Sequence, residues 1–178
     1  MIIRHAHPDR DGAGCAAVYA PYVRDSVISF EESEPDGAEF ARRIESISRT
    51  HPWLVADDGG ELAGYAYASP HRERRAYRWA ADISVYVAQH HRGARVGTAL
   101  YGALIPLLAR QGMRIVCAGI TLPNDASVAL HESFGLERIG VYRRIGWKAG
   151  AWHDVGWWQR ELEGADPPAE PGPPPRLD

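Results

Sequence analysis

The segment from Ile83 to Leu108 constrains the fold more than any other part of this chain. Ile83-Ser84-Val85-Tyr86-Val87 alternates in the manner of a strand with one buried face. Further on, Val96, Ala99, Leu100, Ala103, Leu104, Leu107 and Leu108 recur at helical spacing, the cleanest such stripe in the sequence. Arg92-Gly93-Ala94-Arg95-Val96-Gly97-Thr98 joins the two, rich in small residues. A strand running through such a loop into a helix implies a sheet with helices on its faces, and hence an α/β class. Pro106 lies within the helical stripe and predicts a kink there.

The flanking sequence repeats the alternation. Ile2-Ile3-Arg4 reads as a first strand. Cys15, Val18, Tyr19, Tyr22 and Val23 mark a helix that Pro21 should bend or end. Asp36-Gly37-Ala38-Glu39 has the form of a capping box, and Phe40, Ile44 and Ile47 supply the apolar stripe behind it. Trp53–Ala56 and Leu62–Ala68 read as strands joined by the hairpin signal Asp57-Asp58-Gly59-Gly60. Ile115–Ile120 is a strand, Asn124–Phe134 a helix closed by Gly135, and the last strands lie around Ile139–Ile145 and Val155–Leu162. Hairpins and helix crossovers together require a mixed sheet in one α/β domain, residues 1–162. Residues 163–178 hold six of the thirteen prolines and little apolar bulk, so they are expected to form a disordered tail.

A length of 178 residues suits one domain with a real core. The net charge of -3 gives no basic field for nucleic acid or an anionic membrane. No apolar run approaches a membrane span, and Met1-Ile2-Ile3-Arg4 turns polar too early for a secretory signal. Cys15 and Cys117 fit neither a zinc pattern nor a disulfide framework, so no metal is expected, and two buried thiols point to the cytoplasm.

The loop carries the first functional signal. A helix start offers unpaired N–H groups and the positive end of the helix dipole, and small residues let a phosphate approach them. The pattern is neither G-x-G-x-x-G nor a P-loop. It resembles the acetyl-CoA loop of the GNAT superfamily, Q/R-x-x-G-x-G/A, with Arg92 first, Gly97 last, and Arg95 where a glycine is expected. Leu122-Pro123-Asn124-Asp125-Ala126-Ser127 follows in the right order, with Asn124 as an N-cap over Ser127. Within the superfamily the chain resembles the phosphinothricin and methionine-sulfoximine acetyltransferases. The match is carried by Pro52–Ala56, Gly64–Ala68, Gly119–Asp125 and above all by Gly146–Gln159, with its aromatics and Asp154-Val155.

The resemblance implies a GNAT-like mixed, mostly antiparallel sheet flanked by helices, with acetyl-CoA as cosubstrate and a small-molecule amine as acceptor. It also implies a homodimer. Tyr86, Val87, Arg92, Gly93, Ala94, Arg95, Val96, Gly97, Thr98, Asn124 and Ser127 are then the cofactor-binding residues. The resemblance also places Phe30, Arg72, Arg74 and Tyr77 at the substrate, and arginine pairs well with carboxylate and phosphinate oxygens. Amine acetylation needs an acceptor for the ammonium proton, a polarised thioester and a proton for the leaving thiolate. Asp82 stands where the family carries glutamate, and His131 shares a helix face with Asn124, so both are expected in proton transfer. The rival readings are acetylation of a protein N-terminus or another amine, and a non-catalytic acyl-CoA-binding module. The module would need neither Asp82 nor His131.

Overall fold

The computed structural model describes residues 1–177. The elements run β1 (Ile2–His5), α1 (Pro8–Arg24), α2 (Gly37–Ser48), β2 (Trp53–Asp58), β3 (Glu61–Pro70), β4 (Ala80–Val87), α3 (Val96–Gln111), β5 (Ile115–Leu122), α4 (Asp125–Ser133), β6 (Glu137–Lys148) and β7 (Ala151–Glu161). Short 3₁₀ turns at Arg75–Tyr77 and Gln89–His91 bracket β4. The strands form one sheet in the order β1-β2-β3-β4-β5-β7-β6, antiparallel throughout except for β4 beside β5. The mixed, mostly antiparallel α/β sheet implied by the sequence is therefore the one observed.

Local chemistry accounts for most boundaries. Asp36 caps α2 by accepting from the Glu39 backbone N–H at 2.8 Å. Gly59 and Gly60 turn β2 into β3 with φ of 69° and 101°, values that a β-carbon disfavours. Gly135 follows α4 at φ 75° and ends it. Neither internal proline breaks its helix. Pro21 lies one turn from the end of α1, which closes at Arg24, and α3 runs unbroken through Pro106 to Gln111.

Two cores sit on opposite faces of the sheet. On one, α3 buries Val96, Leu100, Leu104, Leu107 and Leu108 against Leu54, Ala66, Ala81, Ile83, Val116 and Trp158. Each such aliphatic side chain contributes roughly 1.5–3 kcal/mol. On the other, α1 and α2 cover an aromatic cluster of Tyr19, Tyr22, Phe40, Trp53 and Tyr65.

Residues 163–177 contain no helix or strand, and they run back along the domain instead of leaving it. The Ala169 carbonyl accepts from Trp79 Nε1 at 2.7 Å, Gly172 exchanges hydrogen bonds with Gln111, and Glu170 pairs with Arg75 and Arg78. Arg75 and Arg78 are thus engaged with the tail. Leu177 packs against the α3 core.

Candidate active site

The parallel pairing of β4 with β5 is short. It covers Ala80↔Ile115, Ala81↔Val116 and Asp82↔Cys117 and then stops, although β4 continues to Val87 and β5 to Leu122. Beyond Asp82 the strands part, and the backbone groups of β4 facing away from β3 lose their strand partner. A cavity of about 440 Å³ opens into this split, walled by Val85 and Val87 of β4, the loop from His91 to Thr98, and Asn124, Ala126, Ser127 and Leu130 around α4. Tyr22 and Ile28 close it from the α1 side.

One end of the cavity suits an anion. The first intrahelical bond of α3 is Ala99 N–H to the Arg95 carbonyl at 3.0 Å, so the N–H groups of Val96, Gly97 and Thr98 precede the helical ladder. No side chain caps this terminus and no acidic residue occupies its first turn. Anions are favoured where free N–H groups and the helix dipole converge. A β-carbon added at Gly97 would stand 3.0 Å from Leu130 Cδ2, so glycine keeps α3 and α4 close at the cavity wall. Gly93 and Arg95 both have positive φ, 80° and 58°. That geometry explains why a glycine is expected at position 95, where this chain carries arginine. Arg92 lies with its guanidinium carbon 5.2 Å from the Tyr22 ring centre. Most of the cofactor-binding residues expected from sequence line this cavity: Val87, Arg92, Gly93, Arg95, Val96, Gly97, Thr98, Asn124 and Ser127. Ala94 and Tyr86 do not. The half-buried Tyr86 side chain packs against Tyr19, Tyr22 and Tyr65. Val87 is tied at both polar groups to the Tyr22 hydroxyl, which donates to its carbonyl at 2.7 Å and accepts from its N–H at 3.2 Å.

Asp82 stands at the apex of the split. Burial pushes its carboxyl above the ordinary carboxylate range, and a hydrogen bond from His71 partly offsets the rise. The His71 Nδ1 to Asp82 Oδ1 distance is 2.7 Å. Cys117, across the parallel pair, brings its sulfur into the same cluster, with the three ligand-type atoms within 4.8 Å of one another. Burial pushes the Cys117 thiol up to about 11, so it is protonated at neutral pH. The Tyr77 and Trp157 rings lie edge-on to the His71 ring with centres at 5.9 and 6.1 Å. Phe30 stands farther along, its ring over Gly146 and 6.2 Å from His153. Lys148 pins the Phe30 loop to the β6–β7 hairpin by donating to the carbonyls of Val23 and Ser29. Arg72 and Arg74 are exposed on the connection between β3 and β4.

His131 differs from its expectation as a proton carrier facing the amine. It is 4% exposed, and both ring nitrogens are occupied. Nδ1 lies 2.7 Å from the Ser127 carbonyl, which can only accept, so Nδ1 carries the hydrogen. Nε2 then accepts from the Tyr101 hydroxyl at 2.9 Å. Burial pushes the ring's pKa down, favouring the neutral form. Asp82 and His131 share no hydrogen-bond partner.

Sequence reasoning missed His71 as a partner of Asp82. The two are eleven residues apart, and only the β3–β4 register of Ser69↔Asp82 and Pro70↔Ala81 brings them together. Tyr22, Ile28, Val85, His91, Ala126 and Leu130 were missed as cavity walls, because only the fold brings them to one space.

A free helix start beside a split between parallel strands suits the phosphates and extended arm of an acyl-CoA. Comparison with known proteins agrees. The acetyltransferase (GNAT) domain model matches residues 5–157, and the chain belongs to that family. It is 39% identical to a phosphinothricin N-acetyltransferase of Streptomyces viridochromogenes, over 89% of this chain and 86% of the relative. It is 33% identical to an L-methionine sulfoximine/L-methionine sulfone acetyltransferase of Pseudomonas paraeruginosa, over 86% of this chain and 90% of the relative. Among solved structures, a GNAT superfamily phosphinothricin acetyltransferase from Sinorhizobium meliloti in complex with acetyl-CoA superposes with a TM-score of 0.86 at 35% identity, covering 90% of this chain and 88% of that one. The chain is an acetyl-CoA-dependent N-acetyltransferase. Among the described residues no helix is long and apolar enough to cross a membrane.

Proposed function

We propose that this enzyme acetylates the α-amino group of a small anionic amino-acid analogue of the phosphinothricin or methionine-sulfoximine type. The observation that carries the reading is the placement of Asp82. It sits where β4 and β5 separate, on the strand that connects the arginine-bearing segment after β3 to the loop leading into α3. Acetyl-CoA supplies the acetyl group. The free N–H groups of Val96, Gly97 and Thr98, with Arg92, would hold its phosphates, and the unpaired edge of β4 would lie along its arm. Asp82 belongs to the basic centre that receives the ammonium proton, directly or through a neighbouring group. His131 would join that transfer only if its Tyr101 hydrogen bond opened; with both ring nitrogens hydrogen-bonded it anchors α4.

The acceptor's charge is read from Arg72 and Arg74. The Arg72 side chain bonds only to the His71 carbonyl, and the Arg74 side chain has no ion pair or hydrogen bond among the described residues. Uncommitted guanidinium groups beside a basic centre suit a substrate bearing carboxylate and phosphinate or sulfoximine oxygens. They disfavour polyamines. The reading also includes a cytoplasmic homodimer. Ile139, Tyr142, Ile145, Trp147 and Trp152 are exposed on the β6–β7 hairpin, an apolar face that a second copy would cover.

The test is release of CoA thiol with phosphinothricin, methionine sulfoximine, methionine sulfone, spermidine and an N-terminal peptide side by side. The first three should exceed the last two in kcat/KM by at least about tenfold, on the order of 1.4 kcal/mol of transition-state discrimination. A preference for the peptide or spermidine overturns the substrate class.

A further inference from the structure

We propose that His71 takes the proton from the substrate ammonium, and that Asp82 acts through it as the carboxylate that positions the ring. This rests on the amine-acetylation reading above and names the atom at which its proton transfer occurs.

The geometry of the pair is specific. An ionised carboxylate oxygen only accepts, so the 2.7 Å contact places the ring hydrogen on Nδ1 and the lone pair on Nε2. Nε2 makes no hydrogen bond among the described residues, and it is not among their buried polar atoms lacking a partner. It is therefore open to solvent, beside the point where β4 and β5 part and outside the lining of the 440 Å³ cavity. The residue itself is fixed. Its backbone N–H donates to the Ala80 carbonyl at 3.3 Å, extending the β3–β4 ladder past Pro70↔Ala81. Its side chain retains 19% exposure and that of Asp82 26%, so the pair is sheltered but reachable.

Chemistry favours the imidazole as the acceptor. A general base works best when its pKa lies near the operating pH, and imidazole is the side chain whose ordinary range meets that condition. A carboxylate needs a large shift to reach it. Reach gives the same answer. This chain carries aspartate where the resembling family carries glutamate, so its carboxylate is one methylene shorter, and the oxygen nearest His71 is already committed to the ring.

The groups facing the pair are consistent with this assignment. On β3, half-buried Tyr67 has its hydroxyl pushed up by desolvation, so it is neutral. Arg72, beside His71, favours the ionised form of Asp82 by its charge. Tyr77 and Trp157 wall the ring, and the Cys117 thiol on β5 is protonated and does not compete for the proton. The step balances. Nε2 takes one proton from the ammonium, and the freed nitrogen lone pair forms the bond to the acetyl carbon. The carbon–sulfur bond breaks with its electron pair staying on sulfur. The nitrogen gives up a second proton, sulfur takes one as the thiol, and His71 returns its own to solvent.

His71→Asn keeps an N–H donor for Asp82 but offers no lone pair to a proton. It should lower kcat by about a hundredfold to ten-thousandfold near neutral pH, the usual effect of removing a general base. The KM for acetyl-CoA should stay unchanged, and the acid limb of the pH–rate profile should disappear. A second readout needs no turnover. Nitrogen-15 spectra of the wild-type ring should show the neutral tautomer with its hydrogen on Nδ1, and Asp82→Asn should shift that balance towards Nε2–H. Near-wild-type kcat with an intact acid limb in His71→Asn would overturn the proposal. So would a neutral wild-type ring protonated on Nε2. If the wild type acetylates none of the amines above, the substrate reading fails, and the ring spectrum still decides the role of His71.

Discussion

At the end of the groove where we place the cofactor, the working parts are backbone, namely the N–H groups of Val96, Gly97 and Thr98, the positive-φ turns at Gly93 and Arg95, and the edge of β4 left without a strand partner. At the end where we place the amine they are side chains, with His71 from just past β3, Asp82 from β4, Cys117 from β5 and Trp157 from β7. The first region can be built from one contiguous stretch of chain. The second exists only once four strands are in register. Substitutions at the amine end should therefore change chemistry with little change in acetyl-CoA affinity, and those at the cofactor end the reverse.

The sharpest test of that contrast is Asp82→Asn. It should lower kcat by about a hundredfold to ten-thousandfold, with acetyl-CoA affinity by calorimetry unchanged. Its effect on stability has a definite sign. Burial raises the Asp82 pKa, so the folded chain holds that proton at pH values where the unfolded chain has released it. This residue's contribution to stability therefore falls as pH rises through the window from the ordinary carboxylate pKa to the raised one. Asparagine never ionises, so at neutral pH the variant should melt at or above the wild-type temperature. A loss of activity accompanied by a clear fall in melting temperature would mean that Asp82 is structural.

The same contrast explains what was legible from sequence. Every strand and helix was visible in order, because periodicity, Asp36, Asn124 and the Gly59, Gly60 and Gly135 positions are local signals. The loop Arg92–Thr98 was legible because the role we propose for it lies in its backbone. His71 was not, because nothing local distinguishes it from seven other histidines, and the hydrogen bond to Asp82 is a property of register. The tail shows the same limit from the other side. Its composition shows that it forms no helix or strand, but docking through Trp79 and Gln111 depends on donors far away in sequence.

His131 lies between the two regions, on the helix that walls the cofactor cavity, and a variant there decides to which region it belongs. Its ring is satisfied on both sides by Tyr101 and the Ser127 carbonyl. His131→Ala leaves the Tyr101 hydroxyl buried without a partner, which typically costs about 1–3 kcal/mol. Differential scanning calorimetry should show that loss. The acid limb of the pH–rate profile should keep its midpoint, since His71 and Asp82 remain. A shifted limb would place His131 in the proton path and weaken the division between the two ends.

The smallest effect is expected at Arg95, where the cofactor end departs from its own rule. Residue 95 adopts φ 58° at the start of α3, and a left-handed conformation costs an L-residue roughly 1–2 kcal/mol. Arg95→Gly removes that strain but frees the unfolded chain, and the two effects partly cancel. A net gain of about 0.5–1 kcal/mol is expected in denaturant unfolding. Its effect on acetyl-CoA separates two roles for the side chain. If the guanidinium pairs with a cofactor phosphate, the more stable variant should bind acetyl-CoA several-fold more weakly, with a steeper loss at low salt than at high salt. If the side chain only crowds the loop, affinity should rise with stability. Either way kcat under saturating acetyl-CoA should hold, because no group at the amine end has moved. A fall in kcat at saturation would show that the loop's backbone sets the position of the reacting thioester as well as the grip on the phosphates, and the two ends of the groove would then be one device.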